Sequence, residues 1–317
     1  MERPNQIILK LEGGLGNQLF QLAAGYFLAS KNGSDLLLDQ YSIRLTTVHG
    51  EKEIGFNEFV IGEFPRANKI VLLEGSPSEF LTKLAKKIRI LKKLLLKIRM
   101  WTSNPKRLPL FLETNEEKSK GDLLIIESPI KVHGNFQSWD IVEKSAQFGF
   151  PRILHLKETP DWIQSLQKRI DFKDSIVLHF RVGDDTRANY NFRQPNISYY
   201  LSALQILKAK IEFSNVYVLS DDINRVKEMF GSKLGKEIEY LIMPTESSPA
   251  ERLYILSLFG GIVCANSTFC GWAAWSISNS GGAVVVPVPY SDGPVLGSRD
   301  FPSDWIKLDK YSGAEVS

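Results

Sequence analysis

The chain has 317 residues, 43% of them hydrophobic and 24% charged, with a formal net charge of +3. That composition is ordinary for a globular protein, and the length suits two domains of common size with a core that needs neither metals nor cross-links. A mean hydropathy of −0.13 and the absence of any run of 18 apolar residues exclude a membrane-spanning helix.

In chain order, Ile7 to Leu11 reads as a strand, glycines follow, and Asn17 to Ser30 reads as a helix with an apolar stripe through Leu19, Phe20, Ala23, Ala24, Phe27 and Leu28. Asp35 to Asp39 is a second buried strand, so the chain opens as strand, helix, parallel strand. Leu123 to Glu127 is a further strand candidate, and the stretch from Phe150-Pro151 to Thr159-Pro160 is the expected domain boundary. Asp161 to Ile170 reads as a helix with Asp161 as N-cap. A strand at Ser175 to Phe180, a helix at Ile197 to Ile211 and a strand at Asn215 to Leu219 follow. The series closes with a helix at Pro249 to Phe259, a strand at Gly261 to Ala265, a helix at Gly271 to Ser278 and a strand at Ala283 to Val286. This alternation implies two doubly wound α/β domains, over residues 1–155 and 156–317.

Two features bear on location and partners. The N-terminal residues Met1 to Asn5 lack the basic, apolar and small-residue order of a secretory signal. Cys264 and Cys270, the only cysteines, with four scattered histidines, give neither a disulfide framework nor a zinc spacing. Both observations point to a reducing compartment, the cytoplasm. Charge is uneven. An insertion at about 75–107 holds Lys83, Lys86, Lys87, Arg89, Lys92, Lys93, Lys97 and Arg99 with no acid between Thr82 and Met100. Without those eight charges the rest of the chain is net negative, which argues against nucleic acid as a partner. In the same segment Leu84, Ile88, Leu91, Leu95 and Ile98 recur at helical spacing. The segment is expected either to pack as a helical arm with a solvated basic face or to lie on an anionic membrane.

Ligands of doubly wound sheets sit at the carboxyl ends of the strands. Three strand ends in the second half are polar: His179 to Asp184, Ser220-Asp221-Asp222 and Asn266-Ser267-Thr268. Arg181 offers a planar charged fork for a diphosphate. Ser267 and Thr268 open a helix where an anion can bind. Asp221 or Asp222 can accept hydrogen bonds from a guanine edge. Each has a structural alternative: Ser267 and Asp222 as helix caps, and Arg181 with Asp184 as an ion pair. In the first half, Gly14-Leu15-Gly16-Asn17-Gln18-Leu19 follows a strand, opens a helix and is followed by Asp39 at the next strand end. A dinucleotide-binding loop would have that layout, but Leu19 stands at its third glycine position. The other reading is a backbone loop on a cleft, with the Asn17 and Gln18 amides directed at a ligand.

Gly13 to Gln21 (GGLGNQLFQ) resembles the N-terminal signature of glycosyltransferase family 11, the α-1,2-fucosyltransferases. Gly134-Asn135-Phe136-Gln137-Ser138 is similar to that family's mid-chain motif. His179-Phe180-Arg181-Val182-Gly183-Asp184 is similar to the His-x-Arg-x-Gly-Asp motif that it shares with α-1,6- and protein O-fucosyltransferases. Tyr217 to Asp222 and Ala265 to Trp275 resemble its later motifs. Five motifs in family order are far more specific than one. Val182 stands where the family often has a second arginine, and Cys270-Gly271 where it usually has Ser-Trp.

The resemblance implies a GT-B-type fold with the active site between the domains. It implies inverting transfer of L-fucose from GDP-fucose to the 2-OH of a galactose-ended glycan, with no cofactor and no metal. Arg181, His179 and Asp184 are the implied catalytic residues. Gly14, Gly16, Asn17, Gln18, Ser220, Asp221, Asp222, Asn266, Ser267, Thr268 and Phe269, with Arg181, are the implied donor-binding set. Asp184, His179 and Glu12 all stay open as the proton acceptor. With no secretory signal, the expectation is a bacterial enzyme acting in the cytoplasm on a lipid-linked precursor of surface polysaccharide such as O-antigen, possible contact with the membrane running through residues 82–100. The alternatives are a dinucleotide-dependent oxidoreductase, which leaves the second-half motifs unexplained, and a catalytically silent carbohydrate-binding protein.

Overall fold

Each apolar run that opens a half of the chain forms the centre of a parallel sheet. The computed structural model describes residues 6–39, 55–61, 70–72, 110–112, 130–183, 194–290 and 301–316. The first sheet holds β1 (Gln6–Lys10), β2 (Asp35–Asp39), β3 (Ile70–Leu72), β4 (Leu110–Leu112) and β5 (Ile130–His133) in the order β3-β2-β1-β5-β4. The second holds β6 (Ser175–Phe180), β7 (Asn215–Ser220), β8 (Glu239–Tyr240), β9 (Gly261–Val263), β10 (Ala283–Val288) and β11 (Ile306–Asp309) in the order β11-β10-β9-β6-β7-β8. Every pairing between these strands is parallel. The two doubly wound sheets of a GT-B fold are therefore present.

The strand order fixes where ligands can sit. In the first sheet the chain winds outward from β1 to β2 and β3, while β5 lies on β1's other side. In the second it winds from β6 to β7 and β8, then restarts at β9 on the other side. The switch points, where adjacent strand ends send their loops in opposite directions, are thus β1/β5 and β6/β9.

The first half supplies the helices α1 (Leu15–Asn32) and α2 (Trp139–Ala146), and α3 (Asp161–Gln167) follows the boundary. The second part supplies α4 (Ile197–Lys210), α5 (Ile223–Leu234), α6 (Pro249–Ser257) and α7 (Thr268–Asn279). One continuous core joins residues of both sheets, running from Leu9 and Phe20 through Trp139 to Ile262, Trp272 and Trp275. Trp139 is its hub. Its ring lies 4.8 Å from Phe20, 5.4 Å from Trp272, 5.7 Å from Trp275 and 5.0 Å from Trp305. Such aromatic contacts add to area burial and tie α2 to the second sheet's helices.

Most expected elements match within a few residues. Three differences have physical causes. Pro160, not Asp161, is the N-cap of α3, and Asp161 occupies the first turn, where a carboxylate meets the positive end of the helix dipole. The helix expected from Gly271 begins at Thr268, so the motif's hydroxyl residues belong to its first turn. The strand expected over Gly261–Ala265 ends at Val263. The strand candidate Leu123–Glu127 and the basic insertion lie outside the described residues.

Candidate active site

The first switch point is built by a turn that needs glycine. Gly13 has φ +79°, and a Cβ there would meet the Asn17 side chain at 2.8 Å. Gly14 then caps α1 with no side-chain bond, and Gly16 lies against the other half of the molecule. A Cβ on Gly16 would sit 2.7 Å from the Phe269 nitrogen and from the Thr268 carbonyl carbon and hydroxyl. The starts of α1 and α7 therefore touch. The Trp272 indole donates to the Gly16 carbonyl at 2.9 Å, and the Thr268 hydroxyl donates to Asn17 Oδ1 at 3.1 Å.

Gln137 completes the contact by donating to the same Asn17 oxygen at 3.0 Å. It is presented by a tight turn in which buried Phe136 has φ +50° and the Ser138 N–H donates to the Phe136 carbonyl. A non-glycine residue in that region stores backbone strain, a trait common at functional sites. Both amides of the glycine loop thus serve the protein. Gln18 is 3% exposed, and its amide nitrogen donates to the Gly13 carbonyl at 3.0 Å. Asn17 bonds across the seam through its oxygen.

Like α1, α7 has no side-chain bond at its cap, Ser267. α3 and α4 also lack one, whereas α2, α5 and α6 are capped by Ser138, Asp222 and Ser248. Two N-termini without side-chain caps, each carrying about half a positive charge, therefore meet at one point. An anion held there would be stabilised by both sets of N–H groups.

The second switch point supplies a full charge. Arg181 follows β6, half-buried, with its Nε 3.1 Å from Asp221 Oδ2. Asp221 Oδ1 accepts the Val182 N–H at 2.8 Å, so this carboxylate fastens the loop that carries the arginine. Asp222 caps α5 by accepting the Arg225 N–H at 2.9 Å through Oδ1, and its Oδ2 has no hydrogen bond among the described residues. Ser220 bridges the two: its hydroxyl donates to Asp221 Oδ1 at 3.2 Å and accepts the Asp222 N–H at 3.1 Å. His179 is only 4% exposed, and its ring stacks near Phe269 with centroids 6.2 Å apart. That contact places the end of β6 beside the first turn of α7. Asn266 is buried and donates to the Tyr290 carbonyl at 3.3 Å. Asp184 lies outside the described residues, and among the described residues Arg181 pairs with Asp221. A pocket opens on the seam, with Gln137 and Trp139 on one side and Ser267, Thr268, Tyr290 and Phe301 on the other.

Cys270 and Gly271 have local explanations. The Cys270 thiol faces inward, donating to the carbonyls of Ala265 and Ser267 at 3.1 and 3.2 Å. A Cβ on Gly271 would meet the Trp139 ring at 3.0 Å, so glycine there admits the hub of the aromatic core. Both cysteines are buried free thiols, and burial pushes the Cys264 thiol well above its usual range.

One cluster was only partly visible in the sequence. At the carboxyl ends of β1 and β5, Glu12 Oε1 lies 3.1 Å from His133 Nε2, and Glu12 Oε2 lies 3.0 Å from Lys10 Nζ. The Lys10 and His133 nitrogens are 3.1 Å apart. The His133 hydrogen bond, aided by Lys10 and opposed by burial, holds the Glu12 carboxyl at about 2. So acidic a group is a weak base, which counts against Glu12 as a direct proton acceptor. His133 and Lys10 carry no signal in the sequence, because the register of β1 on β5 across more than a hundred residues brings them together.

The chain matches the model described as glycosyl transferase family 11 over residues 6–309. An alpha-1,2-colitosyltransferase of Escherichia coli is 24% identical over 314 residues, which is 96% of this chain and 99% of that protein. Among solved structures, the fucosyltransferase NodZ from Bradyrhizobium aligns with a TM-score of 0.49 at 15% identity, over 86% of this chain and 93% of that one. POFUT1 in complex with GDP-fucose aligns with a TM-score of 0.44 at 15% identity, over 86% and 94%.

Proposed function

The chain belongs to glycosyl transferase family 11, and from that premise we propose that it transfers L-fucose from GDP-fucose to the 2-OH of a galactose-ended glycan, with inversion. The observation that carries the reading is the meeting of the α1 and α7 N-termini beside the strand end that bears Arg181. A diphosphate leaving group needs positive charge and N–H donors as its bond to the sugar breaks, and an arginine beside two helix N-termini can provide both. Arg181, oriented by Asp221, supplies the charge. The first turns of α1 and α7 supply the donors. Asp222 Oδ2 is the carboxylate oxygen suited to a guanine edge, since Asp221 is committed to Arg181 and Val182. With the charge supplied by arginine and backbone, the reaction proceeds without a metal. The name of the E. coli relative gives an α-1,2 linkage, which supports that linkage here, and makes colitose the second sugar to test.

The donor half of this reading is tested by ligand protection. GDP should raise the midpoint of thermal unfolding, by about 2.7 kcal/mol of stabilisation at a hundred times its Kd, and NAD should not. Protection by NAD alone would return the glycine loop to dinucleotide binding.

The acceptor in this reading is a lipid-linked precursor of surface polysaccharide, met at the cytoplasmic face of a membrane. The support is the sequence of the 82–100 segment, with eight basic residues around an apolar stripe. No helix among the described residues is long and apolar enough to cross a bilayer. Each basic residue near an anionic surface contributes about 1 kcal/mol, weakened by salt. The protein should co-sediment with anionic but not neutral liposomes. Changing Lys86, Lys87, Lys92 and Lys93 to glutamate should abolish that binding. Equal binding to both liposome types would reduce the segment to a solvated helix.

A further inference from the structure

The reading above leaves the proton of the attacking hydroxyl without a destination. Resting on that reading, we propose that His133 accepts it, with Glu12 and Lys10 as positioning residues that set the charge of its ring.

Lys10 ends β1, Glu12 follows it and His133 ends β5, so the cluster occupies the switch point of the first sheet. Arg181 occupies the region of the other switch point. The two loops that leave the cluster reach Asn17 and Gln137, which meet Thr268 of the second half at the seam. Inversion requires the nucleophile to approach from the face opposite the leaving group. A base on the first sheet and a leaving-group cation on the second would stand on opposite sides of the bound sugar.

The geometry of the ring comes next. His133 Nε2 is 3.1 Å from both Glu12 Oε1 and Lys10 Nζ. One ring nitrogen cannot donate to the carboxylate and accept from the ammonium at once. When Nε2 carries the hydrogen and donates to Glu12, the lone pair is left on Nδ1. That nitrogen has no hydrogen bond among the described residues, and the side chain is 34% exposed. One edge of the ring is anchored and the other is open. His179, 4% exposed and beside Phe269, lacks such an open edge.

The step balances. The acceptor oxygen forms its bond to the anomeric carbon and its proton passes to His133 Nδ1. The carbon–oxygen bond to the diphosphate breaks, and its electron pair leaves with GDP. Glu12 then faces an imidazolium, an arrangement that lowers the energy of the charge created.

Among the described residues, the charged groups in contact with His133 are Glu12 and Lys10 on the β1 side, with Asp39 beyond them at the end of β2 in register with Lys10. Glu12 is a negative neighbour of the ring and Lys10 a positive one. The rate should rise with pH as His133 loses its proton. Glu12→Gln should move that midpoint to lower pH, and Lys10→Met should move it to higher pH. A cluster that only braces the fold would move it in neither variant.

The experiment measures kcat, KM for GDP-fucose and the pH profile for the wild-type chain, His133→Gln, Glu12→Gln and Lys10→Met. We expect His133→Gln to lose roughly a hundredfold in kcat with little change in the KM for donor, and the two charge variants to shift the midpoint in opposite directions. If His133→Gln does not fold, the opposed shifts alone decide. A folded His133→Gln within about threefold of wild type, or midpoints that do not move apart, would overturn the proposal while leaving the reading intact. No transfer by the wild-type chain to any galactoside would overturn the reading and the proposal with it.

Discussion

Arg181→Ala should lower the rate of sugar transfer by roughly a hundredfold or more, about 3 kcal/mol of transition-state stabilisation. The loss has two sources. The positive charge at the departing diphosphate disappears, and Asp221, whose Oδ2 lies 3.1 Å from the guanidinium, is left as an unpaired negative charge beside the site. Arg181→Lys should recover only part of the rate, because an ammonium cannot hold Asp221 and grip a phosphate with one planar fork. Asp221→Asn should be milder than Arg181→Ala, since the amide oxygen can still accept the Val182 N–H. Near-normal turnover in a folded Arg181→Ala protein would remove the arginine from the leaving-group site.

Gly16→Ala should be the most damaging small change in the glycine loop. Its methyl group would lie 2.7 Å from backbone atoms of Thr268 and Phe269, and backbone cannot rotate away as a side chain can. Helices α1 and α7 must separate, which should destabilise the protein by about 1–3 kcal/mol. Separation would also break the Thr268–Asn17 and Trp272–Gly16 bonds and disperse the N–H donors, so transfer should fall at least tenfold. Gly14→Ala is the control for stability. Its φ is −77° and a Cβ there meets nothing within 4 Å, so thermal unfolding should be nearly unchanged. Equal stability loss in both variants would contradict the close approach of the two helices.

What the sequence disclosed follows the range of the interactions involved. Buried parallel strands read as apolar runs, so β1, β2, β6, β7, β9 and β10 were legible from composition alone. The edge strand β11, Ile-Lys-Leu-Asp, is too short and mixed to stand out, and α5 hides a glycine, Gly231, within its run. The polar strand ends pointed to Arg181, to Asp221 or Asp222, and to Ser267 and Thr268. They did not disclose that Asp221 holds Arg181, because that pair joins loops forty residues apart. Likewise the Lys10–Glu12–His133 cluster and the touching helix starts depend on sheet register and domain contact, which no local pattern encodes. The glycine at Gly271, unexpected for the family motif, became explicable only when the Trp139 ring was found against it.

The central claim is transfer of fucose from a guanine nucleotide sugar to a galactoside in an α-1,2 linkage. The most direct measurement supplies the purified chain with GDP-fucose and a panel of galactose-ended acceptors in excess EDTA. It follows GDP release and determines the linkage of any product. The account predicts GDP release that depends on the acceptor, survives chelation, and yields fucose on the 2-OH of galactose with inverted anomeric configuration. Transfer only after Mn²⁺ or Mg²⁺ is restored, a product linked elsewhere, or no transfer with any acceptor would contradict it.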